Sequence, residues 1–387
     1  MNILIVPDSF KGTMSTFEVC DIISSAILKK HPGAVIRSIP VADGGEGSAD
    51  CLIAACGGRR VNVTVSGPFF EKVDSYYGLL PDGTAVTELA ACSGLSMAGE
   101  RRSAADTTSY GLGELIGAAV RGGSRRVIIA LGGSSSNDGG CGMAASAGVR
   151  FRGKDGTFVP VGRTLEKITG IDMSAVPEEI RNTVFVTMCD VVNPLYGENG
   201  AAYVFAPQKG VKPGETEMLD RGLVHLSGMI KRDVGIDISG IPGSGAAGGC
   251  GGGTVAFLGA HLQSGIDTVL DAAGFDTLLD SCDLVITGEG KLDGQSMGGK
   301  AVIGIARRAA VKHVPVIAVV GCTGEGYSDA YRYGVKKIIV TDRGNKTYED
   351  VLKNARSDLE AAAEKLGGML SDDFCSRLAE AEPDDFS

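Results

Sequence analysis

No apolar run in this sequence approaches the ~18 residues that would cross a bilayer. There is no CxxC pair, and the four histidines, His31, His225, His261 and His313, lie far apart. A zinc site is therefore not expected. The histidines fall on expected helices or their ends, which leaves Ser-His-Asp and Cys-His nucleophilic schemes without a base. Positive charge is also short: the formal net charge is −10, so no basic footprint exists for nucleic acid or an anionic membrane. Internal repeats and low-complexity linkers are missing. The ten cysteines are scattered and fit free thiols in a reducing compartment. With the short apolar stretch of MNILIVPDSFKG at the start, they point to a cytoplasmic protein, neither exported nor embedded.

What the chain does have is length and glycine. Its 387 residues, 43% hydrophobic, suffice for two domains that each bury a core. The 58 glycines cluster between apolar runs without a period, so they mark turns and close backbone approach rather than collagen or disorder. Strands are expected at 2–6, 34–39, 283–287, 314–320 and 336–340. Helices are expected from Ser15 (with Glu18, a capping box), near 47–56, at 299–311, near 327–333 and from about 347. This alternation argues a parallel sheet. Between the halves, KVDSYYGLL and TAVTELA flank Pro81-Asp82-Gly83 as an antiparallel hairpin. Helices near 109–121, 139–147 and 215–234 and strands at 125–131 and 183–188 complete a second, mixed α/β domain. The expected division is 1–68 plus 275–387, interrupted by 69–274.

Ligands of such sheets bind beyond the carboxyl ends of the strands. Five of those ends are rich in charge and glycine: Asp8-Ser9-Phe10-Lys11, Asp43-Gly44-Gly45-Glu46, the run from Gly132 to Gly140, Cys189-Asp190-Val191-Val192-Asn193, and Glu289-Gly290-Lys291-Leu292-Asp293. An Asp after a strand commonly caps a helix. Seven loop carboxylates (Asp8, Asp43, Glu46, Asp138, Asp190, Glu289, Asp293) with Lys11, Lys291 and Lys300 exceed what capping needs. The combination suits phosphoryl transfer, in which carboxylates hold Mg²⁺, cations offset phosphoryl charge and one base takes an alcohol proton. Asp190 leads as the base. Asp8, Asp43 and Asp293 are placed as metal ligands or their supports, Lys11 and Lys209 as anion contacts, and Asn137 and Asp138 as contacts to substrate or metal. GQSMGGKA at 294–301 departs from a phosphate loop by ending in Ala301, yet Lys300 and the helix start beside it remain a phosphate contact. Gly243 to Gly248 matches GxGxxG with no strand before it. A close-packed glycine turn and an anion nest both stay open there.

Seven strings occur together: PDSFKGT (7–13), ADGGEG (42–47), TSYGLGELI (108–116), GGSSSNDGGCG (132–142), CDVVNPLYGENGAAYVFAPQKG (189–210), GSGAAGGCGGG (243–253) and GEGKLDGQSMGGKA (288–301). In order and spacing the chain resembles the type 1 glycerate kinases over nearly its whole length. The resemblance implies a flavodoxin-like domain interrupted by a second α/β domain, with the active site in a cleft between them. It implies transfer of the γ-phosphate of ATP to D-glycerate, giving 2-phosphoglycerate and ADP. Ser9, Ser134, Ser136, Asn193 and Ser296 join the residues expected to bind substrate or nucleotide. The family often has Thr at 136 and 296 and Arg at 291; Lys291 keeps the charge without Arg's bidentate fork. Kinases of other small hydroxy acids or sugars, and a non-catalytic nucleotide- or metabolite-binding protein, are the alternatives.

Overall fold

The structure, a computed structural model, describes residues 1–42, 44–298, 300–342 and 348–380. Asp43 therefore lies outside the described residues. The chain forms two compact units, 1–42 with 54–56 and 266–387, and 43–53 with 57–265.

In the first unit the strands Asn2–Pro7, Val35–Ser38, Leu284–Leu292, Val316–Thr323 and Val335–Val340 form one sheet. All neighbours are parallel, as the alternation of strands and helices implies. Numbered along the chain, the strands lie in the order 2-1-3-4-5. The winding reverses between the first and third strands, so the loops after those two open at the switch point of the sheet. Helix Thr16–Lys30 starts at the Ser15–Glu18 capping box. Its Val19, Ile23 and Ile27 are buried in one cluster with Ile5, Ile286, Leu359, Ala363 and Leu366.

The third of these strands is longer than its sequence suggests. Gly288 to Leu292, expected as loop, continues the ladder, with Gly288 opposite Val319 and Leu292 opposite Thr323. Glycine permits it: a Cβ on Gly288 would lie 2.2 Å from the Val319 carbonyl, and one on Gly321 would lie 2.3 Å from that of Gly290. Apolar content was a poor guide here because backbone proximity, not side-chain burial, makes the pairing.

The second unit carries a six-stranded sheet in the spatial order His261–Gln263, Val184–Met188, Arg126–Ala130, Ala85–Glu88, Lys72–Leu79, Arg59–Ser66. The first four are mutually parallel; the last two join antiparallel. The hairpin expected around Pro81 is present. Arg59–Ser66, not expected as a strand, pairs along its whole length with Lys72–Leu79. A small antiparallel sheet of Gly156–Phe158, Arg150–Gly153 and Gly170–Asp172 adds to this unit. His261 opens a strand rather than lying on a helix. No helix among the described residues is long and apolar enough to cross a membrane, and all ten cysteines are free.

Candidate active site

Val184–Met188 and Arg126–Ala130 are adjacent parallel strands, and the loops leaving their carboxyl ends share a pocket of about 360 Å³. Leu131 to Ser134 come from one loop and Cys189 to Val191 from the other; Gly44, Gly45, Leu95, Phe205, Gln208, Lys209, Ala246 and Ala247 complete the wall. Lys209 is only 2% exposed. Its Nζ donates to Ser134 Oγ at 2.7 Å and to the Ser136 carbonyl at 2.6 Å. Burial pulls its pKa down to about 8, opposed by the charge of Asp138. The 3₁₀ turn Pro207–Lys209 that carries it closes on left-handed Gly210, where a Cβ would lie 2.5 Å from the Arg102 carbonyl.

Asp190 is exposed on the pocket wall, its Oδ1 accepting the Gly265 N–H at 2.8 Å. Next to it, burial pushes the Cys189 thiol up, which disfavours the thiolate. Ser136 and Asn137 are fully buried, and Ser136 Oγ, Asn137 Nδ2 and Asn137 Oδ1 have no partner among the described residues. Buried polar atoms are normally satisfied, so these three have capacity for water or a ligand.

Asp138 is buried and held within its loop. Its carboxylate accepts from Ser109 N and Oγ, both at 2.8 Å, and from the N–H groups of Gly140 and Gly142 at 3.1 and 3.2 Å. Burial raises its pKa while those donors lower it. These bonds make it an anchor of the loop. Asn193 is likewise engaged: Nδ2 donates to Asn199 O, and its carbonyl accepts the Gly245 N–H. Glu46 is exposed in the 44–47 loop.

The GxGxxG run resolves into a turn entering helix Ala246–Leu258, with Ala247, Gly248 and Gly249 left-handed. It packs backbone on backbone, since a Cβ on Gly248 would lie 2.2 Å from the Ser136 carbonyl that Lys209 also uses. Gly248→Ala is expected to destabilise the protein by about 1–3 kcal/mol, from strain at φ +69° and overpacking. Urea denaturation checks this; an unchanged midpoint would contradict the packing.

In the first unit, charged groups gather at the sheet's switch point. Asp8 follows the first strand, its N–H donating to Gly288 O and its Oδ1 accepting from Ser9 N. Glu289 is 6% exposed, and its Oε1 has no partner among the described residues. Burial pushes this acid up to about 7, with Asp8 and Asp293 raising it and Ser296 and Lys300 lowering it. Lys291 pairs with Asp293 at 2.9 Å. Lys300 is exposed at the N-cap of helix Ala301–Val311, and Lys11 is exposed beside Gly290. Among the described residues no group of three or more His, Cys, Asp or Glu could by itself hold a metal ion. A Mg²⁺ bound with substrate phosphates needs only one or two carboxylates.

Residues 3–371 match the sequence pattern of the Glycerate kinase family. The chain belongs to that family. It is 39% identical over 373 residues to "Glycerate kinase" of Bacillus subtilis, spanning 96% of this chain and 98% of that one. It is 38% identical over 374 residues to "Glycerate 2-kinase" of Escherichia coli K12, with 96% and 98% covered. The crystal structure of a candidate glycerate kinase 2 from Salmonella typhimurium LT2 superposes with a TM-score of 0.84 at 39% identity, covering 95% of this chain and 97% of that one. As a member of the glycerate kinase family the chain is an ATP-dependent phosphotransferase.

Proposed function

We propose that the chain transfers the γ-phosphate of ATP to the 2-hydroxyl of D-glycerate, giving 2-phosphoglycerate and ADP. The observation that carries this reading is one pocket walled by both a buried cation, Lys209, and an exposed carboxylate, Asp190. A 2-hydroxy acid needs that pair, a positive charge for its carboxylate and a base for its hydroxyl. Lys209 already donates to Ser134 Oγ, so the serine's own proton is available to a ligand oxygen. Asp190 takes the hydroxyl proton as the oxygen attacks phosphorus.

The nucleotide phosphates are assigned to the first unit, whose 2-1-3-4-5 sheet order supports the flavodoxin-like reading. Lys11, Lys291 and Lys300, the last at a helix N-terminus, offset phosphate charge there. The unpartnered Oε1 of Glu289, near Asp8 and Asp293, suits a divalent cation. Mg²⁺ held by one or two of these carboxylates together with the substrate phosphates would neutralise charge on the β- and γ-phosphoryl oxygens. The two units are proposed to act as domains, the second inserted in the first. The free cysteines support a cytoplasmic setting.

Coupled ADP release over a panel of hydroxy acids and sugars, with phosphorus NMR of the product, tests the reading. Turnover with D-glycerate and a 2-phosphoglycerate signal are expected. A 3-phosphoglycerate signal overturns the regiochemistry, and release only with another acceptor overturns the substrate.

A further inference from the structure

We infer that Glu88 is a positioning residue for acceptor phosphorylation, holding the 44–47 loop in place as part of the pocket wall; this rests on the pocket reading above. Glu88 is the last residue of strand Ala85–Glu88 and is 3% exposed. One carboxylate oxygen accepts the Gly47 N–H at 3.3 Å, and the other accepts the Ala49 N–H in a short bond. Both donors belong to the opening of helix Ser48–Cys56, whose N-cap, left-handed Gly47, offers no side chain. Glu88 supplies from another strand the cap that the local sequence lacks.

The loop so held is in backbone contact with the pocket. Gly44 O accepts the Gly132 N–H at 2.8 Å, and a Cβ on Gly132 would lie 2.5 Å from Gly45 Cα. Gly44, Gly45 and Gly132 all line the cavity that contains Lys209 and Asp190. A shift of the 44–47 segment is therefore a shift of part of that cavity's wall, with backbone in direct contact with backbone at Gly132. Burial raises the Glu88 pKa, the Ala49 and Gly47 N–H groups lower it, and Asp50 and Glu46 raise it further. A carboxylate kept buried beside two other acids loses hydration, for which these donors compensate.

The test uses the full chain with Glu88→Gln and Glu88→Asp, read by hydrogen exchange at Gly47 and Ala49, thermal midpoint, and kinetics for both substrates. Glutamine keeps the volume but sets an NH₂ against one of the two N–H groups. Exchange at both amides should quicken and kcat/KM for glycerate fall by up to about 10²-fold, while the ATP KM stays within about twofold. Aspartate, still anionic but shorter, should recover part of the loss. Faster exchange with unchanged glycerate kinetics overturns the inference. So does an equal loss for both substrates that tracks the thermal midpoint, which marks a purely structural role. Lys209→Met separates the two readings. If it impairs glycerate use while Glu88→Gln does not, only the positioning role fails; if it leaves the glycerate KM unchanged, the pocket reading fails with it.

Discussion

Replacing Asp190 with asparagine is expected to lower kcat by about 10²–10⁴-fold, the range a general base contributes, with the ATP KM held within a few-fold of wild type. The substitution is informative because of what it keeps. Oδ1 of Asp190 accepts the Gly265 N–H, and an asparagine oxygen accepts it equally well. The side chain keeps that bond while losing its negative charge and its capacity to take a proton. Asp190→Ala removes both functions, and its extra loss over asparagine measures the anchoring. Steady-state kinetics at saturating glycerate decide the matter. A kcat within tenfold of wild type would remove Asp190 from the chemistry.

Lys209 should show itself through pH. Its pKa of about 8 means that it is charged below that pH and neutral above it. A carboxylate acceptor is therefore expected to be captured progressively less well as pH rises through about 8, with kcat/KM for glycerate falling up to about tenfold per unit. The limb belongs to kcat/KM, because a bound carboxylate holds the ammonium protonated and carries its titration higher in the complex. Lys209→Met should raise the glycerate KM by about 10–10²-fold, the worth of a hydrogen bond to a charged group, and should abolish the limb. A methionine variant with the same alkaline limb would assign it to another group.

The parallel sheet of the first unit was readable because its strands are short apolar runs separated by helices with clear starts, Ser15 and Glu18 among them. Helix Ala246–Leu258 was not, because its run of glycines disfavours a helix and its start, with Ala247, Gly248 and Gly249 left-handed, is shaped by the backbones packed on it. Asn137 and Asp138 were indistinguishable as neighbours in one loop. Burial with several donors makes one an anchor, and the other's buried amide has no partner among the described residues. Glu88 sits at the end of a hairpin flank whose composition gives no sign of a carboxylate with a task. Its partners, Gly47 and Ala49, are distant in sequence, and only the parallel pairing of its strand with Arg126–Ala130 shows which end of the sheet it occupies.

Where Gly132 meets Gly45, and where Gly248 meets Ser136, main chain touches main chain. Evolution or a protein engineer thus has few handles on this cavity. Altering acceptor preference proceeds through side chains of the wall such as Leu95, Met188, Val191 and Phe205, since a Cβ on Gly132 would meet the Gly44–Gly45 backbone and Gly44 and Gly133 have positive φ.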